Sequence, residues 1–245
     1  MLILPIFITG IHYFFASFFL NLWIGYIILY IATFVGIFIS LFYFVDHYVN
    51  GDILNKIGVT KTHNILETLT EKDMIYQVSF NLLTMYLLGY AYFADVFNID
   101  YNVRGITSIT SFPQLILELC EYYLVYDMVF YYGHRILHLP KFYPWHKKHH
   151  RTYGTIAMSA MYMTLFDFFL EAILPFYLGP ILFNGSKLSL VCWGLIGSSN
   201  TLLVHSGYMI PYVTDDKHHY QHHTRINGNY SIYVMDKIHR TEIKN

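Results

Sequence analysis

The sequence predicts an all-α integral membrane protein, a helical bundle of about four to five spans. Three observations carry that expectation. Apolar residues make up 55% of the 245 and charged residues only 13%, about half the charged share of an ordinary soluble domain. Apolar runs long enough to cross a bilayer, about 20 residues, recur along the chain. Between them the polar residues gather in short segments rich in histidine, of which there are 14. A formal net charge of −1 offers no basic surface and argues against a nucleic-acid partner.

Residues 1–45 are almost continuously apolar, broken by small or weakly polar residues such as His12 and Asn21. They hold one main span over about 20–45, or two spans broken near Gly25. The opening "MLILPIFITG" lacks a basic lead-in and a small-residue cleavage site, so it reads as a retained anchor. Residues 46–73 turn polar and mixed in charge, and 1–73 form an anchor and connector ahead of a functional domain over 74–245. A second span follows at 75–97, then a loop at 98–112. Pro113 opens a helix over 113–133. That helix carries Glu118, Glu121 and Asp127, so one of its faces must meet protein or water. Two further spans, 156–183 and 188–204, flank the turn "NGSK". Cys120 and Cys192 lie in apolar stretches without a CxxC pattern and read as buried thiols.

Charge sets the orientation. Residues 134–155 hold Arg135, Lys141, Lys147, Lys148 and Arg151 and no acidic residue, whereas Arg104 and Lys187 are the only bases in 98–112 and 184–187. The positive-inside rule therefore places 134–155 on the cytosolic side. Counting spans puts 46–74 and 206–245 on the same side, so every histidine-dense segment shares one compartment.

Histidine is a poor core filler, because each ring nitrogen seeks a hydrogen-bond partner or a metal. "HRILH" places His134 and His138 at i, i+4; "HKKHH" places His146, His149 and His150 at i, i+3, i+4; "HHYQHH" repeats that spacing with His219, His222 and His223 and adds His218. On a helix such spacings stack rings on one face, within reach of one ion. His205 stands where the last span reaches the cytosol. One HxxxH motif occurs by chance, and HKKHH alone reads equally as an exposed basic face. Three boxes on one membrane side point to metal. Eight or nine imidazoles exceed the coordination of one ion, so two ions are expected, and imidazole suits zinc, copper, iron or nickel. Nearby carboxylates, Asp127 and Asp236 with Asp215 and Asp216, are candidates for outer acceptors that fix the histidine tautomers, or for ordinary caps. His12, His47, His63 and His239 read as ordinary.

"DMVFYYGHRILH", "WHKKHHRTYG", "HSGY" and "HHYQHHTRINGNYSIYVMDKI" together resemble the fatty acid hydroxylase / sterol desaturase superfamily of membrane di-metal oxygenases over about 127–241. Asp127 matches the aspartate ahead of the first box, Asp167 falls where relatives carry an acidic residue, and Asp236 follows the Asn229-Tyr230 pair. Met235 replaces the expected tryptophan, and "HRT" replaces the usual "GT" ending.

The resemblance implies a cytosolic helical cap holding a di-metal centre, with two irons ligated by His134, His138, His146, His149, His150, His205, His219, His222 and His223. His218 is open between a tenth ligand and a bystander, and zinc is an acceptable occupant of the isolated protein. It implies O2 as co-substrate and hydroxylation or desaturation of a membrane lipid or sterol at the endoplasmic reticulum. Electrons would come from a separate donor such as cytochrome b5 and its reductase. The "HSGY" and HHxxHH forms resemble the sterol-oxidising branches more than the fatty acyl or sphingolipid hydroxylases. The aromatics of 121–132 are expected mostly as packing and interface residues, with some walling a substrate channel. The competing readings are a histidine-rich metal transporter or store, which should place ligands at mid-depth in the spans, and a scaffold that has lost activity, against which the intact boxes argue.

Overall fold

The computed structural model describes residues 60–61, 71–93, 111–151, 157–205, 208–209 and 216–244. The expected first span at 20–45, His12, His47, His63, Asp215 and nearly all of the 46–73 connector lie outside the described residues. The fold is helical apart from one two-residue antiparallel pair, β1 (Thr60–Lys61) and β2 (Tyr208–Met209), with Thr60 opposite Met209.

Helix α1 spans Glu71–Phe93. Its buried stripe, Met74, Val78 and Leu82, recurs every four residues and packs on Ala157, Met161, Tyr162, Met163 and Phe168. Within that stripe Asn81 donates from Nδ2 to the carbonyls of Met161 (2.9 Å) and Met163 (3.0 Å), fixing an irregular segment by satisfying its orphan acceptors.

Helix α2 spans Phe112–Leu137, with a proline in its first turn where a missing N–H costs nothing. Pro140 prevents its continuation. Its buried face carries Glu118, Tyr122, Asp127, Tyr131 and His134, while Leu117, Leu124, Met128 and Ile136 point outward. Polar groups inside and hydrocarbon outside reverse the pattern of a helix facing water.

After α2 come a short helix α3 (Tyr143–His146) and two 3₁₀ turns, His149–Arg151 and Ala157–Met161. Helix α4 runs over Leu165–Leu182. Its central turn, Phe169–Ile173, is a π-turn. Pro175 explains the widening: it has no N–H to offer the Glu171 carbonyl, and its ring crowds that oxygen. α4 packs closely on α2 through two glycines. A Cβ at Gly133 would stand 2.9 Å from the Leu170 carbonyl oxygen, and one at Gly179 would stand 2.9 Å from the Tyr122 Cα.

Helix α5 (Lys187–His205) lays Leu190 and Trp193 on Tyr122. Helices α6 (Asp216–Arg225) and α7 (Val234–His239) complete the described chain. Among the described residues one helix, α4, is long and apolar enough by itself to cross a bilayer, with a mean hydropathy of 1.6. The other long helices are diluted by polar residues, such as Glu118, Glu121 and Asp127 on α2. The expected buried thiols are corrected: Cys120 is exposed and Cys192 half-buried, because apolar flanks on an outward-facing helix do not imply burial in protein.

Candidate metal centre

Nine histidines converge where α2, α3 and α5 end and α6 crosses them. They sort into two groups in which one nitrogen from each ring lies within 4.8 Å of all the others: His134, His138, His146, His150 and His222 in one, His149, His205, His219 and His223 in the other.

Each HxxHH box divides between the groups. His146 and His150 join the five and His149 the four; His219 and His223 join the four and His222 the five. Neighbours on a helix are about 100° apart, so His222 and His223 on α6 aim to different sides while the i, i+4 pair stacks on one. The first box does the same on different backbone. α3 ends at His146, Lys147 and Lys148 make a turn, and a 3₁₀ turn carries His149 and His150.

The tautomers follow from the outer contacts. Nδ1 of His134 lies 2.8 Å from the Tyr230 carbonyl, Nδ1 of His205 lies 2.8 Å from the Thr201 carbonyl, and Nδ1 of His222 lies 2.7 Å from the Gly228 carbonyl. Nδ1 of His146 lies 3.1 Å from both oxygens of Asp167. Carbonyls and carboxylates accept, so each Nδ1 carries the proton and each Nε2 presents a lone pair.

Those bare nitrogens face one another. Nε2 of His134 and Nε2 of His146 are 3.1 Å apart with no proton available to join them. The other close Nε2 pairs in the five-histidine group measure 3.1 Å (His138–His222), 2.9 Å (His146–His150) and 3.2 Å (His150–His222). In the four-histidine group they measure 2.7 Å (His205–His219), 2.9 Å (His219–His223) and 3.4 Å (His149–His205). Nitrogens about 2.1 Å from one ion stand about 3.0 Å apart at right angles and about 3.4 Å apart in a tetrahedron. Nε2 of both His134 and His146 is bare, and nitrogens at these spacings fit a cation at the centre of each group.

Electrostatics agree. Burial first, then the neighbouring imidazoles, pull the pKa of His146, His149, His150, His219 and His223 well below 6.5. Burial, with His222 beside it, lowers His138 to about 3, and burial lowers His222 to about 4. The rings are therefore neutral near pH 7, the form that ligates metal.

Of Asp127, Asp167 and Asp236, Asp167 is the one that touches a histidine of these groups. Asp127 grips backbone: Oδ1 accepts from the N–H of Ile232 (2.9 Å) and Tyr233 (3.0 Å), and Oδ2 from Met235 (2.7 Å). It thereby docks the segment whose Tyr230 carbonyl orients His134. Asp236 accepts from the N–H of Tyr230 and Ser231 and from the Thr241 hydroxyl (2.6 Å). Burial raises its carboxyl, but hydrogen bonds from His218, Thr241 and that backbone outweigh it and hold the pKa below the ordinary value. His218 stands outside both groups, with Nε2 3.2 Å from Asp236 Oδ2. His239 stacks on Tyr131, away from the centre.

Sequence reasoning missed Glu171. It is 4% exposed, and its Oε1 lies 3.3 Å from His134 Nε2 and 3.6 Å from His146 Nδ1. An acidic residue inside an expected span, four after Asp167, was the available signal.

A cavity of about 710 Å³, its open mouth included, abuts the centre. Tyr126, Phe130, Met161 and Val204 give it an apolar wall, and Asn200 and Thr201 add polar groups. Of the 121–132 aromatics, Tyr126 and Phe130 line it, Tyr122 and Tyr131 are packed in protein, and Tyr132 faces outward.

A family model described as fatty acid hydroxylase matches residues 119–241. The chain is 31% identical over 134 residues to fatty acid hydroxylase domain-containing protein 2 of Homo sapiens, covering 54% of this chain and 40% of that protein. It is 26% identical over 172 residues to methylsterol monooxygenase 1 of Gallus gallus, 65% of this chain and 55% of that one. It is 30% identical over 182 residues to fatty acid hydroxylase ahd1 of Mycosarcoma maydis, covering 69% and 45%. The chain thus spans about half the length of these relatives. No solved structure matches.

Proposed function

The chain belongs to the fatty acid hydroxylase family, and from that premise we propose that it is a membrane-bound oxidoreductase. It oxidises a sterol or other membrane lipid with O2 at two iron ions, one held by each histidine group. The observation that carries the reading is the pair of unprotonated nitrogens on His134 and His146, 3.1 Å apart and buried. Two lone pairs at that distance repel unless a cation lies between them.

Iron held there supplies the O2 chemistry that an unactivated C–H bond needs. The chain supplies the rest. The Tyr230, Thr201 and Gly228 carbonyls and Asp167 keep Nε2 of four ligands free and aimed inward. The apolar cavity wall excludes water and receives a hydrocarbon, and it touches His149, His205 and His219. Relatives named methylsterol monooxygenase support a sterol substrate; a relative named fatty acid hydroxylase supports an acyl chain.

In this reading α1, α2, α4 and α5 join the 20–45 segment as spans. The turns after α2, together with α6 and α7, form the cap on the cytosolic side of the endoplasmic reticulum. Residues 1–73 anchor the functional domain 74–245. The outward hydrocarbon of α1 (Ile75, Phe80, Leu83, Leu87) and of α2 supports this arrangement. Electrons come from an external donor of the cytochrome b5 kind.

Lipid mass spectrometry of cells expressing the wild type beside the His149→Ala/His150→Ala pair tests the function. One oxidised class of sterol, sphingolipid or fatty acid should vanish in the variant; identical profiles across all three would overturn the proposal.

A further inference from the structure

The two histidine groups differ in what meets their open sides. Three of the four members of the smaller group, His149, His205 and His219, line the cavity, and no member of the larger group does. The larger group meets the cavity only through Glu171, which lines it and stands against His134. His134 donates from Nδ1 to the Tyr230 carbonyl, so its Nε2 has no proton for a carboxylate. Glu171 Oε1 nonetheless stands 3.3 Å from that nitrogen and accepts no hydrogen bond. A buried carboxylate oxygen against a lone pair poses the same problem as the facing imidazoles, and a cation resolves it in the same way.

Glu171 is held there by the helix. It lies in the π-turn that Pro175 imposes on α4, one turn beyond Asp167, so both acidic side chains project toward His146. A π-turn within an α-helix is a frequent mark of a functional position. Asp167 meets His146 Nδ1 and shares a side-chain hydrogen bond with Glu171, whose Oε1 has no hydrogen-bond partner and faces His134 Nε2.

Resting on the di-iron reading above, we propose that Glu171 is a carboxylate ligand that closes the five-histidine position. The four-histidine position keeps its vacant site toward the cavity and is the one that takes up an exogenous small ligand. Closed coordination suits a structural or electron-holding role, and an open position suits exchange with solution. The anionic oxygen also offsets part of the charge of an ion that five neutral imidazoles leave uncompensated.

The test loads the full chain with ferrous iron under anaerobic conditions and titrates it with nitric oxide. Iron per chain is measured beside the electron paramagnetic resonance of the nitric oxide complex. The wild type should hold two irons and bind one nitric oxide. E171A should either bind a second nitric oxide while keeping both irons, or lose one iron while the other still binds nitric oxide. E171Q preserves the side-chain shape should the alanine fold poorly, and should weaken iron at one position by about 10- to 100-fold. H219A should abolish nitric oxide binding. Two nitric oxide molecules on the wild type would overturn the proposal, as would E171A and E171Q that both keep two tight irons and a single nitric oxide. A wild type that takes up fewer than two irons overturns this and the reading beneath it.

Discussion

Replacing Asp127 should damage the metal centre without touching a ligand. Asp127 is 1% exposed, and its carboxylate accepts from three backbone N–H groups at 2.7–3.0 Å. A hydrogen bond to a charged acceptor contributes about 1.5–3 kcal/mol net. Water entering the space left by Asp127→Ala re-solvates part of those N–H groups, so the loss is about 3–5 kcal/mol rather than the full sum. At about 2–4 °C per kcal/mol for a chain of this size, the melting temperature falls by about 10 °C. Asp127→Asn keeps one oxygen but turns an amide N–H₂ toward a backbone donor, so it should lose about 1–3 kcal/mol. Both changes loosen the segment whose Tyr230 carbonyl orients His134, and iron affinity should fall by about 10- to 100-fold. Thermal melting in detergent, with iron per chain measured alongside, reads both effects. If Asp127→Ala melts within about 2 °C of the wild type and keeps its iron, the three backbone contacts do not support the centre.

His218→Ala should keep both irons, because His218 pairs with Asp236 outside the two groups, whereas His222→Ala should lose one; equal retention by both would refute the grouping. Asp167→Ala frees Nδ1 of the His146 ring and should weaken iron by about 10- to 100-fold, readable by chelator competition; unchanged affinity would contradict the tautomer argument. Gly133→Ala pushes a methyl to 2.9 Å from the Leu170 carbonyl oxygen and should cost about 1–3 kcal/mol by thermal melting. The metal-free protein should lose stability as pH falls. His138 and His222 titrate at about 3 and about 4 when folded against 6.5 ordinarily, so between those limits the unfolded chain binds the extra protons. Each such ring costs up to about 1.4 kcal/mol per pH unit below 6.5, with little change above pH 7; a melting temperature flat from pH 7 to about 5 would refute this.

The histidine boxes were legible because their spacing is local: i, i+4 pairs end on one group wherever the backbone turns like a helix. Their division between two groups was not legible. It depends on the turn at Lys147 and Lys148 and on how α6 is rotated against α5, neither of which a periodic pattern encodes. Apolar runs located α1, α2, α4 and α5 to within a few residues at most ends, and Pro113 marked the start of α2. Length and hydropathy single out α4 among the described helices, because α2 and α5 carry polar residues such as Glu118, Asp127 and Ser189 that are buried in the fold. Asp127 was singled out for its place inside an apolar helix, and its partners proved to be peptide groups 105 to 108 residues away, beyond any local signal. Glu171 meets the same criterion as Asp127, an acidic residue inside an apolar helix, four positions after Asp167.

Anomalous diffraction at the iron edge from crystals of the iron-loaded protein tests the central claim most directly. Two separate peaks are expected, one among His134, His138, His146, His150 and His222 and the other among His149, His205, His219 and His223. A single peak, or peaks away from these rings, would contradict it.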